Sequence, residues 1–257
     1  MAAEFPCASE AMPWADIEAS EVHHWPIVRA YAERIGLRSV INRVVPTERA
    51  FEPGLLVMGM VVDTLSGRSP LYHLESFFEG KDTQLLLGER VDASVFNDDN
   101  AGAVLDLLYE AGTQKVYSEV AMAAFRAFEV SSEQVHFDTT SVSVYGDYLR
   151  EDDEACLRIG HGHSKDKRPD LKQFVLSMLC VGGNVPIVGQ CEDGNASDKK
   201  LNNTLLSTIS KRLKAFGVQE QAFTYIADSA LVTADNLAAM GEEIRFITRL
   251  PATYSTV

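Results

Sequence analysis

Val135-His136-Phe137-Asp138-Thr139-Thr140-Ser141-Val142-Ser143-Val144-Tyr145 is where this 257-residue chain changes character. Upstream, apolar residues recur at intervals of three and four, the spacing of a helix face. From Val130 onward they gather instead in β-branched and aromatic clusters. Val135–Phe137 and Val142–Tyr145 are two of these and read as a first extended segment. A chain that switches period in this way is expected to hold an all-α part followed by a mixed α/β part.

Working outward toward the C-terminus, Gln173–Val181 is a continuous apolar run ended by Gly182-Gly183, and Val185–Gln190 makes a third strand. The intervening Gly-Gly-Asn suits a hairpin connection. Ser197–Phe216 carries Leu201, Leu205, Leu206, Ile209 and Leu213 at helical spacing, with Ser197 or Asp198 as N-cap. Ala222–Ala227 reads as a fourth strand, Thr233–Met240 as a short helix capped by Thr233, and Ile244–Thr248 as a fifth strand. The order β-β-β-α-β-α-β predicts an antiparallel meander to which later crossovers add parallel strands. Toward the N-terminus, Pro26–Ile35 is a helical stripe closed by Gly36, and Glu52-Pro53-Gly54 opens a helix over Leu55–Leu65 with Gly67 as its stop. Ala103–Tyr109 and Thr113–Phe128 complete the helices read in this part. The resulting partition is an N-terminal tail over 1–25, a helical domain over 26–130 and a mixed α/β core over 131–257.

The composition is that of a soluble globular chain, 46% hydrophobic and 23% charged. No apolar run approaches the ~20 residues of a membrane span. The first thirty residues carry five acidic side chains and no basic one before Arg29, which fits neither a secretory nor a transit signal. Four cysteines without a C-x-x-C pair point to a reducing cytoplasm. The formal charge of -14 argues at first sight against a nucleic-acid partner. That total conceals a split, because residues 1–130 carry a net −10, whereas residues 158–214 hold 10 basic and 5 acidic side chains. A local positive stretch can serve a polyanion on a protein of any net charge, although many such runs are simply solvated faces.

Two acidic residues stand out by placement. Asp138 directly follows Val135–Phe137, and Asp228 directly follows the strand ending at Ala227. If the two strands are neighbours, the carboxylates converge, and their repulsion is relieved by a cation or by a proton held on one of them. Hard oxygen ligands of this kind suit Mg²⁺ or Mn²⁺. Paired divalent ions activate water or a sugar hydroxyl against a phosphodiester. The competing reading is that each Asp caps a turn, over Thr139-Thr140 and Ser229-Ala230 respectively. Other candidates are weaker. His161-Gly162-His163 lacks a third ligand for zinc, and Asp193-Gly194-Asn195 lacks the closing Glu of a calcium loop, so it reads as a loop leading into a helix cap. Cys180 lies in an apolar strand and reads as core.

Five ordered blocks carry a resemblance. His136-Phe137-Asp138-Thr139-Thr140-Ser141 with Tyr145-Gly146 resembles the first catalytic strand of the DDE transposases of bacterial insertion sequences. The stretch from Gly162-His163-Ser164-Lys165-Asp166 through Arg168-Pro169-Asp170-Leu171 to Gln173 resembles the segment that follows it in one branch of that superfamily. Asp193-Gly194-Asn195 with Ser197-Asp198, then Tyr225-Ile226-Ala227-Asp228-Ser229-Ala230-Leu231, are similar to its later blocks in the same order. Gly67-Arg68-Ser69-Pro70-Leu71-Tyr72, Phe77-Phe78-Glu79-Gly80 and Phe96-Asn97-Asp98-Asp99 resemble the helical domain that precedes the core in that branch.

The resemblance implies an RNase H-like core and a metal-dependent DNA strand-cleaving and strand-transferring enzyme. It implies Asp138 and Asp228 as two catalytic, metal-binding carboxylates for Mg²⁺ or Mn²⁺, with Lys165, Arg168 and Lys172 on the DNA backbone. The implied partners are the terminal inverted repeats of its element and target DNA, bound by a homo-oligomer associated with the bacterial nucleoid and not with a membrane. The family's third carboxylate stands on a helix in a Tyr…Arg…Glu…Lys pattern that the sequence through Val257 does not contain; Glu242 and Glu243 do not fit it. The sequence therefore reads as a core truncated before that residue. The alternative is an inactive DNA-binding or transposase-binding remnant that regulates transposition.

Overall fold

Helix ends follow local chemistry. In a computed structural model that describes residues 21–148, 156–206, 209, 213, 214, 216, 223–241 and 244–251, α1 (Trp25–Ile35) has a proline in its first turn and stops on Gly36, whose φ of 74° is the left-handed turn that glycine adopts without cost. α2 (Leu37–Val44) follows at once, and α3 (Pro53–Thr64) again starts on proline. α4 (Leu74–Phe78) and α5 (Thr83–Leu87) are single-turn pieces, too short to show a period in the sequence. α6 (Asp98–Ala111) begins earlier than its apolar stripe, because the Asn97 side chain accepts from Asn100 N at 2.8 Å and sets the start. α7 (Thr113–Ala127) closes the series. Leu56, Val62, Leu74, Phe78, Leu86, Phe96 and Val104 pack into one buried cluster, with Phe78 and Phe96 stacked at 4.1 Å. A smaller cluster joins Ile41, Val44 and Val45 to Val116 of α7.

The second half is a five-stranded sheet in the order β3-β2-β1-β4-β5. β1 (Gln134–Val144), β2 (Lys172–Val181) and β3 (Val185–Glu192) form the expected antiparallel meander, turned by Gly182–Asn184. β4 (Thr224–Ile226) and β5 (Arg245–Ile247) are parallel additions, shorter than the sequence suggested. One expectation is corrected here. The first extended segment is one unbroken strand from Gln134 to Val144, so Asp138 lies inside β1 and not at the exit of a strand ending at Phe137. The polar Thr139-Thr140-Ser141 hides that continuity in the sequence, yet Thr139 and Ser141 are buried and keep the alternation.

Alternation also divides the faces. Val135, Phe137, Leu179 and Val181 pack on one side against Leu205 and Leu206 of α8 (Asp198–Leu206), Ile209, Leu213 and Met240 of α9 (Ala234–Met240). Tyr225 of β4 is fully buried there and donates to Asn202 Oδ1 at 2.9 Å. Ala222, Glu242, Glu243 and parts of the expected helix between 207 and 216 lie outside the described residues. No helix among the described residues is long and apolar enough to cross a membrane.

α7 ties the helices to the sheet. Its Gln114 Nε2 donates to Gly189 O at 2.6 Å and its Tyr117 hydroxyl to Pro186 O at 3.3 Å, both on β3. Burial, with a smaller contribution from Cys180, pushes the Tyr117 phenol from its ordinary 10.0 up to about 12. The folded-state value is the raised one, so the neutral phenol's contribution is complete below pH 10 and is lost as pH rises toward 12. Denaturant unfolding across that interval is expected to show stability falling with pH for the native chain and a shallower fall for Tyr117→Phe. Identical slopes would count against the buried-phenol anchor.

Candidate functional site

The pairing of β1 with β4 covers Gln134↔Thr224, Val135↔Tyr225 and His136↔Ile226, and there it ends. Asp138 and Asp228 each stand two residues past the last pair, on strands that run in the same direction. Both line one cleft of about 470 Å³, together with His136, Thr140, Met178, Cys180 and Asn184. The Asp138 side chain is 85% exposed. Its Oδ1 accepts from Thr139 N at 2.8 Å, and Asp228 Oδ1 accepts from Ala230 N at 3.0 Å, capping the Ser229–Leu231 turn. Capping and convergence are thus compatible. One oxygen orients each carboxylate, and the second is left for a ligand. The Asp228 carbonyl also accepts from Thr248 Oγ1 at 2.7 Å, which fastens it to the residue after β5.

Beyond His136 no strand among the described residues pairs with the β4 side of β1, and the segment around Lys165 runs along it. Lys165 N donates to Ser141 Oγ at 3.1 Å, and Ser143 Oγ donates to Asp166 Oδ2 at 3.3 Å. The Lys165 ammonium donates to the carbonyl of Thr139 and, at 2.7 Å, to Thr139 Oγ1. It stands 3.7 Å from Asp138 Oδ1 and 3.7 Å from Asp198 Oδ2. Thr139 Oγ1 in turn donates to Asp198 Oδ1 at 2.7 Å. In the sequence Asp198 shows only as a helix-cap candidate, and Thr139 carries no signal of this role. The block Asp193-Gly194-Asn195-x-Ser197-Asp198 was the available signal, because it carries a carboxylate to the start of α8.

Arg168 and Lys172, expected on DNA, are held locally. Arg168 forks onto Asp170 at 2.9 and 2.7 Å, which raises its own pKa and holds the Asp170 carboxyl below its usual range. The Lys172 ammonium donates to the Asp147 carbonyl. The side chains of Lys199, Lys211 and Arg212 and the acidic run 151–154 lie outside the described residues. Cys180, expected as core, is only half-buried and lines the cleft; burial first, then the charge of Asp138, pushes its thiol up.

The segment bearing Lys165 is anchored at its base. Gly160 and Gln173 exchange backbone hydrogen bonds at 3.1 and 2.9 Å, Gly194 N donates to Arg158 O at 2.9 Å, and the buried Gln173 Nε2 donates to Gly194 O at 2.8 Å. Backbone lies directly on backbone here. A Cβ on Gly194 would fall 2.1 Å from Gln173 O, and one on Gly162 would fall 1.9 Å from Gly194 O.

The donor set is a fit for Mg²⁺ or Mn²⁺. Two carboxylates open to solvent on one cleft match the way Mg²⁺ is held, by one or two carboxylates with water and substrate phosphates. Among the described residues no three His, Cys, Asp or Glu side chains are grouped as a closed metal cage.

Residues 17–122 match a family model described as Domain of unknown function (DUF4277). No characterised protein matches the chain by sequence. Among solved structures, the chain is similar to the Mos1 transposase paired-end complex with left transposon end, at 11% identity and a TM-score of 0.32 over 81% of this chain and 61% of that one. It is also similar to the cryo-EM structure of the piggyBac transposase synaptic complex with hairpin DNA, at 11% identity and a TM-score of 0.44 over 89% of this chain and 51% of that one. The chain thus spans less than two thirds of the length of either.

Proposed function

We propose that this protein is a DDE-type transposase, with an RNase H-like core built on the β3-β2-β1-β4-β5 sheet and preceded by a helical domain. The observation that carries the reading is the convergence of Asp138 and Asp228 on one cleft at the point where β4 parts from β1. The ordered sequence blocks that resemble transposases of bacterial insertion sequences support it independently. Divalent ions, when bound, supply Lewis-acid activation of the attacking oxygen and charge relief on the phosphodiester. Asp138 and Asp228 would hold Mg²⁺ or Mn²⁺, each already oriented by one backbone N–H bond. Lys165, Arg168 and Lys172 would meet the DNA backbone, with Arg168 exchanging Asp170 for a phosphate. Such contacts are salt-dependent and sequence-independent. The substrate would be the terminal inverted repeats of an insertion sequence and its target DNA, acted on by a homo-oligomer.

Incubation with element-end DNA and Mn²⁺ is expected to give nicks bearing 3′-hydroxyl ends, and EDTA to abolish them. A second reading, favoured by the presence of two and not three grouped carboxylates among the described residues, is a DNA- or transposase-binding protein without cleavage of its own. End-specific binding with no metal-dependent nicking would select it. Absence of both binding and nicking would remove the transposase reading.

A further inference from the structure

One carboxylate of the cleft, Asp138, is accompanied by a cation of the chain's own at the rim. Lys165 Nζ lies 3.7 Å from both Asp138 and Asp198, and its donations to the carbonyl and hydroxyl of Thr139 hold it there. The arrangement is a closed relay, in which Asp198 accepts from Thr139 Oγ1 and Thr139 Oγ1 accepts from the ammonium. Lys165 is partly shielded, 36% exposed, as is Asp198 at 32%. Its backbone is held independently through Ser141. The edge of β1 that β4 leaves open is thereby satisfied, since the Thr139 carbonyl receives the ammonium where a strand partner would otherwise donate.

We propose that Lys165 is the resident counterion of the cleft: its ammonium neutralises Asp138 and competes with a divalent cation for that carboxylate, and Asp198 is a positioning residue that sets how much of the charge Asp138 feels. The inference rests on the reading of Asp138 as a metal ligand. Two like charges cannot share one carboxylate at short range without loss of affinity, so an incoming Mn²⁺ must displace the ammonium toward Asp198 and Thr139 or work against it. Asp198 supplies the second berth. With DNA present, the displaced ammonium is free to take up a backbone phosphate, which joins this role to the DNA contact proposed for the same side chain.

The test is Mn²⁺ titration of the full chain, read as loss of the free-ion signal in electron paramagnetic resonance, without DNA and without any activity readout. Lys165→Gln is expected to bind Mn²⁺ about five- to tenfold more tightly than the native chain, and Lys165→Arg to stay within about twofold of it, because it keeps the charge. Asp198→Asn leaves the ammonium with Asp138 alone and is expected to weaken binding about threefold, an effect that shrinks when Lys165→Gln is already present. Lys165→Met is a second uncharged variant, and far-UV circular dichroism confirms that each is folded. Asp138→Asn separates the two levels of the argument. If it leaves Mn²⁺ affinity unchanged, the metal reading fails. If it abolishes binding while folded Lys165→Gln and Lys165→Met stay within twofold of native, the counterion inference is overturned and the metal reading stands. Weakening by Lys165→Gln and Lys165→Arg alike would also overturn it, by showing that Lys165 shapes the cleft and does not compete there.

Discussion

Asp138→Asn is expected to lower metal-dependent DNA nicking about a thousandfold or more, and Asp228→Asn to do the same. Asparagine has nearly the shape of aspartate and still offers an oxygen to Thr139 N or Ala230 N, so the hydrogen bonds that orient each side chain survive. What disappears is the negative charge available to a divalent ion. A thousandfold loss is about 4 kcal/mol of transition-state stabilisation, within reach of a carboxylate that would hold a divalent ion, which would supply Lewis-acid activation and charge relief at the phosphodiester. On the proposed role both residues hold the same ions, so Asp138→Asn with Asp228→Asn should be little worse than either alone. Both positions are in contact with water, so thermal unfolding should shift by no more than about 1 kcal/mol equivalent. Nicking within tenfold of native in either folded variant would sink the catalytic assignment.

Gly194→Ala is the second large expectation, and it concerns the scaffold. Its methyl would sit 2.1 Å from the Gln173 carbonyl and 2.5 Å from that of Gly160. These are backbone atoms, which cannot swing aside as a side chain can. Only lifting the 193–194 turn away from β2 relieves both contacts, and that movement breaks the bonds Gly194 N→Arg158 O and Gln173 Nε2→Gly194 O. Overpacking usually costs about 1–3 kcal/mol, and taking the better of its two acceptors from the buried Gln173 amide, which keeps only His163 O at 3.5 Å, adds about 1–3 more. A fall in stability of about 3 kcal/mol or more is expected in denaturant unfolding, with faster amide exchange at Gly160 and Gln173. A loss below about 1 kcal/mol would mean that these segments are not in backbone contact.

The comparison of these two sites shows what a sequence can reveal. That Asp138 and Asp228 each follow a short apolar run was legible because such runs are local properties; that β1 and β4 are neighbours, which brings both residues to one cleft, was not. The meander of β1, β2 and β3 was legible for the same reason. The reach of β1 through Thr139-Thr140-Ser141 was not, because small polar residues bury there by bonding to Lys165 and Asp198, partners 24 to 59 residues away. The glycine contact was hidden more completely. Gly162 and Gly194 each look like ordinary loop glycines, and only the fold shows that each keeps space for the other's segment. α4 and α5 escaped notice because one turn of helix carries no period, and Cys180 was misjudged as core because an apolar strand does not announce which of its faces is left uncovered.

The strand order has a further meaning. From β1 the chain moves outward to β2 and β3 on one side of the sheet, then returns by way of α8 to begin again on the other side with β4. The crevice at the carboxyl end of β4, beside the middle of β1, therefore lies where the path of the chain reverses across the sheet, the connection after β1 leading to β2 on one side and the connection after β4 leading to β5 on the other. Its location is a property of the path of the backbone, settled before any side chain is chosen. A chain stripped of both aspartates should keep the hollow, so on the proposed function the double variant is expected to stay folded, to retain DNA binding and to lose nicking.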